Sequence, residues 1–320
     1  MTKARENSDY TGLAADIVAG DTAARAGRKN LILNGGFDVW QRGAGPFSGY
    51  SYGPDRFRAA STANRGSDSN EGYVAVMTGN PTGGAALWTG VELAADALSQ
   101  FKIGSTYTIS ARVKSASRIS AVVNYRPSGV AGGHTVDSTF NSSDYKGGNN
   151  VYETLTWTFS PDTLPLTGDV HLTVVFKTES ANDCTFSQVQ LELGSVATDF
   201  EHRSYGEILA DCQRYFERIN TEDSYGFFAS GTAYDSNTGT VGLVYTTKRA
   251  KPTLTFSSVS HFKIQHGTTG MVVTNFASIQ YGLDRALVDG NGVSGLTQNS
   301  GVILISNNAA SAYIEIDAEL

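Results

Sequence analysis

Residues 188–219 read QVQLELGSVATDFEHRSYGEILADCQRYFERI, and the choice of fold turns on them. The stretch opens as a strand. Val189, Leu191 and Leu193 fall on one face and Gln188, Gln190 and Glu192 on the other, the period of two that a half-buried strand requires. Gly194 and Ser195 break that pattern. Ser204 and Glu207, three residues apart, then form a capping box, in which the serine oxygen accepts from an orphan helical amide and the glutamate reaches back. Ile208, Cys212, Tyr215 and Ile219 recur at helical spacing, flanked by Leu209 and Phe216. The spacing predicts a linking helix over 204–220, about four turns by the usual pitch. A lone helix after an alternating strand, in a chain otherwise poor in helical periodicity, marks a junction between two β modules.

On the N-terminal side, strand signals recur at short intervals. STYTISARVKS sets Tyr107, Ile109, Ala111 and Val113 against Thr106, Thr108, Ser110 and Arg112; ETLTWTFS sets Leu155, Trp157 and Phe159 against Thr154, Thr156 and Thr158. YVAVM and DVHLTVVFKT alternate in the same way, and clusters such as TGNPTGG and KGGNN separate them. Residues 28–203 therefore read as a jelly-roll β-sandwich. On the C-terminal side GTVGLVYTT, PTLTFSSV, GMVVTNF, VILISNN and AYIEIDAEL resume the alternation, so 221–320 read as a second, smaller β-sandwich. Residues 1–27 are small and polar and read as an N-terminal arm that orders only against something else. The fold class is all-β.

Composition agrees. Of 320 residues 35 are Gly and 17% are charged, which suits strands joined by many turns. A net charge of -7 argues against nucleic acid or an anionic membrane as partner, since both need a basic footprint. No window approaches the roughly 20 apolar residues of a membrane span. The N-terminal stretch carries no apolar h-region, so synthesis in a cytoplasm is expected. Two cysteines, Cys184 and Cys212, are too few for a disulfide framework, and Cys212 falls on the apolar side of the helix as a buried thiol.

Signatures of catalysis are sparse. The chain holds no G-x-S-x-G, no phosphate loop, no H-E-x-x-H and no C-x-x-C. Gly290, Gly292 and Gly295 satisfy G-x-G-x-x-G, but a dinucleotide site needs a helix after that run and VILI reads as a strand, so a flexible surface loop is expected. Asp68–Gly72 and Asp235–Gly239 have the oxygen spacing of half a calcium loop without the closing glutamate, and Asx turns account for them. Glu315, Asp317 and Glu319 share a face and read as solvated residues opposite Ile314 and Ile316. Neither a cofactor nor a metal is expected. Asn141-Ser142-Ser143 is a formal sequon, without meaning in a bacterial host. Trp40, Trp88, Tyr125 and Tyr152 are candidate stacking platforms for sugars, whose apolar faces pair with exposed rings; Trp157 belongs to the core by its phase. Glu92, Glu153 and Asp183 are the carboxylates a glycan hydrolase would have to pair across a groove.

Three stretches carry a resemblance: NLILNGGFDVWQRG at 30–43, FSQVQLELGSVATDFEHRSYGEILADCQRYF at 186–216, and the terminal YIEIDAEL. Together they resemble bacteriophage tail-fibre and related virion fibre or decoration proteins with a jelly roll similar to carbohydrate-binding modules. The resemblance implies that 30–43 is the opening strand. It also implies that Asn34, Gly35, Phe37, Gln41, Arg42, Gly43, Gln190, Glu192, Gly194, Thr198, Phe200, Glu201, Arg203, Glu207, Cys212, Arg214 and Tyr215 have structural roles. Such jelly rolls commonly hold a calcium near an acidic residue of the last strand, where this chain has Gln188 and Gln190.

What the resemblance implies is a virion structural protein assembled in the host bacterial cytoplasm. It would be a fibre subunit and a homotrimer, attached to other virion proteins through its N-terminal arm and presenting a module for host-surface glycan. The alternatives are a capsid decoration or head-fibre protein and, from another class, a glycan depolymerase; a non-enzyme is expected. Loops on a rigid scaffold are where binding is grafted. The expected receptor contacts are therefore His261, Phe262 and His266 in HFKIQHGTTG, and Asn291 and Gln298 in DGNGVSGLTQNSG.

Overall fold

The computed structural model describes residues 29–80, 82, 84–93, 102–127, 134–135, 144–162 and 170–319. The N-terminal arm and the Asn141 sequon lie outside the described residues. The chain divides into two compact units between Ile208 and Leu209.

The first unit is a sandwich of two five-stranded antiparallel sheets. The front sheet has the order β1 (Phe57–Ala59), β4 (Ala85–Leu93), β9 (Val170–Thr178), β6 (Ile119–Pro127) and β7 (His134–Thr135). The back sheet has β2 (Thr62–Asp68), β3 (Gly72–Thr78), β10 (Cys184–Leu193), β5 (Tyr107–Ser115) and β8 (Glu153–Phe159). Consecutive strands β4 and β5, or β8, β9 and β10, alternate between the sheets, so the non-local pairing of a jelly roll closes one core. The residues that alternation assigned to the inside fill it. Tyr107, Ile109, Ala111 and Val113 of β5 pack with Leu155, Trp157 and Phe159 of β8 and Leu172, Val174 and Phe176 of β9. Trp157 also donates its indole N–H to the Asp144 carbonyl at 3.0 Å.

The opening motif is not a strand, contrary to expectation. Residues 30–43 run through turns, because Asn34 and Phe37 adopt left-handed backbone with φ of 57° and 59°. The buried Asn34 side chain replaces the ladder: its oxygen accepts from Val39 N–H at 3.0 Å and its amide donates to the Val39 and Asp55 carbonyls. The turns press Phe37, Val39 and Trp40 into the interior.

The linking helix is also shorter than the spacing predicts. α1 spans Tyr205–Gln213, and Phe216–Asn220 is a strand, β11. The box forms as expected, with Ser204 N–H donating to Glu207 Oε2 at 3.1 Å and Glu207 N–H donating to Ser204 Oγ at 3.4 Å. The helix stops where other donors take its last carbonyls. Lys248 Nζ donates to Gln213 O at 2.6 Å, and Arg249 N–H donates to Arg214 O at 2.9 Å. Phe216 and Ile219 lie on a strand paired with the C-terminal strand, so two residues that fitted a helical stripe are placed by tertiary pairing instead.

The second unit places β11, β20 (Tyr313–Asp317) and β14 (Thr253–Phe256) in a three-stranded sheet. Its seven-stranded sheet has the order β16 (Thr269–Val272), β15 (Phe262–His266), β19 (Gly301–Ser306), β12 (Phe227–Ala233), β13 (Thr238–Val244), β18 (Arg285–Asn291) and β17 (Asn275–Tyr281). The terminal IEID alternates as expected: Ile314 and Ile316 are buried, while Glu315 pairs with Arg218 Nε at 3.1 Å. Lys248, 2% exposed, also reaches Glu217 Oε2 at 2.7 Å; burial pushes its ammonium below the usual lysine value, and Glu217 opposes that shift.

Candidate functional site

The β1–β4 edge of the front sheet gathers aromatic and cationic side chains on its outer face. In β1, Phe57 and Ala59 point into the core, which sends Arg58 outward. Arg58 stands opposite Tyr52 on one side and Trp88 on the other; Trp88 stands opposite Val175, and Val175 opposite Val122. The row Tyr52–Arg58–Trp88–Val175–Val122 thus crosses the sheet without interruption. The Arg58 guanidinium lies 4.3 Å from the Tyr52 ring centroid, and Arg42 approaches the same ring at 5.0 Å. Tyr50, 64% exposed, sets its ring 5.3 Å from that of Trp88 at an interplanar angle of 47°. Trp88 itself is half-buried. The two rings form an open aromatic corner.

Local chemistry fixes this corner. Tyr50 adopts a left-handed φ of 68° and donates its N–H to Ala59 O at 3.0 Å. The buried Arg56 ties β1 to β4, donating to Gly90 O at 2.7 Å while Thr89 Oγ1 donates to Arg56 O at 2.8 Å. The row after Trp88 on the same face is Gly90, Thr173 and Asn124, and Ser120 lies beyond Val122. Ser120 Oγ and Thr173 Oγ1 are buried without a protein hydrogen-bond partner. An exposed ring beside planar donors is what stacking and hydrogen bonding to a sugar require.

Of the four expected platforms, Trp88 lies in this corner, and Trp40 is a correction: it is buried, with its indole N–H donating to Phe37 O at 2.7 Å. Tyr125 sits on β6 opposite Leu172 and His134, and its side chain lies outside the described residues. Tyr152 lies just before β8 of the back sheet and so does not join Trp88. It is half-buried, with Arg112 and Lys114 each 5.8 Å from its ring, and burial raises its phenol above the ordinary value, assisted by Asp68 and Glu71. Tyr50, Tyr52 and Arg58 were not singled out from sequence. Their signal was the alternation in SGYSYGPDRFRA, which the surrounding turns interrupt.

The expected receptor contacts of the second unit are only partly brought together. Phe262 is a correction: it is fully buried, 5.1 Å from the ring of Phe228 and 5.4 Å from that of Phe276, because it opens β15 on the core phase. His261 lies at the opposite end of β15 from His266, with Nδ1 3.0 Å from Ser257 Oγ. His266, Asn291 and Gln298 do share one end of the seven-stranded sheet. The 292–300 loop there is pinned rather than flexible, with Val293 and Leu296 buried and Asn299 N–H donating to Ala233 O at 2.9 Å. Asp68 and Asp235 form the expected Asx turns, accepting from Asn70 and Asn237 N–H. Glu92 lies on the front sheet, apart from Glu153 on the back sheet and Asp183 beside β10.

The motif residues have another fate. Gln190 and Glu192, assigned to a solvated face by alternation, are buried, because residues 194–201 fold back over them. Gln190 Nε2 donates to Glu192 Oε1 at 2.8 Å; Thr198 donates N–H and hydroxyl to the same carboxylate at 2.9 and 2.6 Å; and Glu201 N–H donates to Gln190 Oε1. Asn30 completes the arrangement, accepting from Leu191 N–H and donating to Val189 O. A β-bulge at Gln188 and Val189 brings the backbone so near that a Cβ on Gly35 would stand 2.0 Å from Val189 O. Beside it a pocket of about 120 Å³ is lined by Asn34, Asp38, Phe200, His202, Arg203 and Ile208 among others. Burial raises the Asp38 carboxyl there, and His202 opposes the shift.

No protein-family model matches the chain, and no curated protein does. Similar solved structures include a CBM22-1 xylan-binding domain from Paenibacillus barcinonensis, at 13% identity and TM-score 0.33, covering 52% of this chain and 96% of that one. A structure described as "CBM4 structure and function" has 17% identity and TM-score 0.30, covering 44% and 97%. The tripod from the baseplate of bacteriophage Tuc2009 has 14% identity and TM-score 0.26, covering 88% and 90%. At these scores the likenesses say nothing of ligand or assembly.

Proposed function

We propose that the protein is a bacteriophage fibre subunit that binds host-surface glycan through the Tyr50–Trp88 face of its first unit. The cross-strand row Tyr52–Arg58–Trp88 with the exposed Tyr50 ring beside it carries this reading. Its placement on a virion rests on the motif resemblance, with the N-terminal arm as the attachment segment. In this reading the protein binds and does not cleave. Three copies in a homotrimer multiply weak contacts by avidity, so one shallow aromatic corner per chain suffices. The experiment is affinity gel electrophoresis in host-surface polysaccharide with wild type and Trp88→Ala. Retardation of wild type alone supports the reading, and equal migration of the two overturns it. Shortening of the polymer on incubation would instead favour the depolymerase. Immunogold labelling of particles separates tail fibre from capsid decoration, and light scattering tests the trimer.

A further inference from the structure

We infer that the outer face of the seven-stranded sheet is where copies of this chain meet, with Lys263 of one copy facing Asp289 of the next. This inference rests on the homotrimer of the reading above and names the surface that holds it. The inner face of that sheet packs on the three-stranded sheet, where Phe256 meets Phe262 and Phe276. The outer face keeps large apolar side chains in the open: Val244 is 79% exposed and Phe227 58%, and Leu287 and Val272 are exposed too. Register sets them on one surface. Leu287 stands opposite Gly242, Gly242 opposite Ser230 and Ser230 opposite Ile303, while Val272, Lys263, Ile305 and Phe227 form another row. Gly242 has no cause within the chain, since a Cβ there would come no nearer than 4.0 Å to Leu287 or Ser230. Glycine inside a strand weakens it, and one use for it is to let another backbone approach.

Charge on this face favours a second copy as the occupant. The seven strands hold only three charged residues, Lys263, Arg285 and Asp289. Arg285 is paired with Asp284 of the same chain. Lys263 lies 4.4 Å from the Tyr225 ring centroid and Asp289 accepts from Thr240 Oγ1 at 2.5 Å, but among the described residues neither has an ion-pair partner. Lys263 shares the row of Phe227 and Asp289 that of Thr232, so they lie toward opposite corners. A copy turned to bring unlike corners together pairs both, and a face without net charge is where chains carrying -7 repel least. By strand spacing and rise the face measures about 29 by about 17 Å, or about 500 Å² per copy. Two copies thus bury about 1,000 Å², the size at which a specific interface begins.

The test is light scattering of the full chain over a range of concentrations, with folding checked by circular dichroism. Wild type is expected to be oligomeric. Lys263→Asp and Asp289→Lys should each raise the dissociation constant about tenfold or more by setting like charges together, and the double variant should return it to within about threefold of wild type. Val244→Arg, at a position too exposed to matter for the fold, should also dissociate the oligomer and keeps the test decisive if a charge variant does not fold. A monomeric wild type overturns both this surface and the homotrimer. An oligomer that survives Val244→Arg or either charge reversal in a folded chain, or single variants that dissociate without rescue in the double, overturns the surface alone. Glycan binding at Trp88 stands or falls separately.

Discussion

Two clusters of the first unit draw on similar residue types and use them in opposite ways. Around the 188–201 segment, Asn30, Gln190, Glu192, Thr198 and Glu201 are hydrogen-bonded to one another or to backbone, and Gln190 is fully buried. On the β1–β4 edge Tyr50 is largely exposed, Trp88 is half-exposed, and Ser120 and Thr173 of the same sheet face keep hydroxyls without protein partners. The first cluster spends its polar groups on holding a bulge and a fold-back. The second leaves two rings facing outward, while the Ser120 and Thr173 hydroxyls of the same face are buried. Most of the residues that carry the resemblance around 188–201 therefore hold the sandwich together, while the rings of the binding candidate, Tyr50 and Trp88, lie outside the matched stretches.

The sharpest way to break this contrast is at Gly35. A side chain there collides with the Val189 carbonyl, which is backbone and cannot yield without moving the bulge. Gly35→Ala should destabilise the first unit by about 3–5 kcal/mol, read as a lower urea midpoint, and an unchanged midpoint would refute the packing described. Next, Glu192→Ala removes the acceptor of Gln190 and Thr198 together, leaving buried donors unsatisfied. It should lower stability by about 2–3 kcal/mol in the same measurement. Trp88→Ala should do the reverse, shifting stability by less than about 1 kcal/mol while weakening glycan binding tenfold or more, equivalent to about 1.4 kcal/mol. If Glu192→Ala impaired binding with its fold intact, or Trp88→Ala unfolded the unit, the contrast would dissolve.

The smallest expected effect concerns pH at the helix start. The Ser204 hydroxyl and backbone N–H hold the Glu207 carboxyl below its ordinary value of 4.5. A carboxylate with a depressed folded value binds fewer protons folded than unfolded. Its contribution is present above the unfolded value and is lost as pH falls through the folded one. Glu207→Gln should remove a shallow loss of stability below about pH 4.5 in thermal melts, and parallel wild-type and variant profiles would contradict this.

Much of the fold was legible because alternation reports burial directly. β5, β8 and β9 place their apolar residues as period two requires, and Ser204 with Glu207 marks the helix start. What was missed depends on contacts distant in sequence. Gln190 and Glu192 alternate like surface residues until the 194–201 segment returns over them. Phe216 and Ile219 satisfy a helical stripe, and only pairing with β20 makes them strand. In the site, Trp88 could be proposed from residue type alone. Tyr50, Tyr52 and Arg58 could not be joined to it, because the register that sets Arg58 opposite Trp88 links residues 30 apart in sequence. Phe262 shows the converse error: a loop-like sequence context concealed a core phase.

The measurement that bears most directly on the central claim is calorimetric titration of purified host-surface polysaccharide into wild type and Trp88→Ala, each checked by melting temperature. Saturable heat for wild type, absent or at least tenfold weaker for the equally stable variant, is the predicted result. Matching isotherms from the two proteins would place the glycan elsewhere or nowhere on this chain.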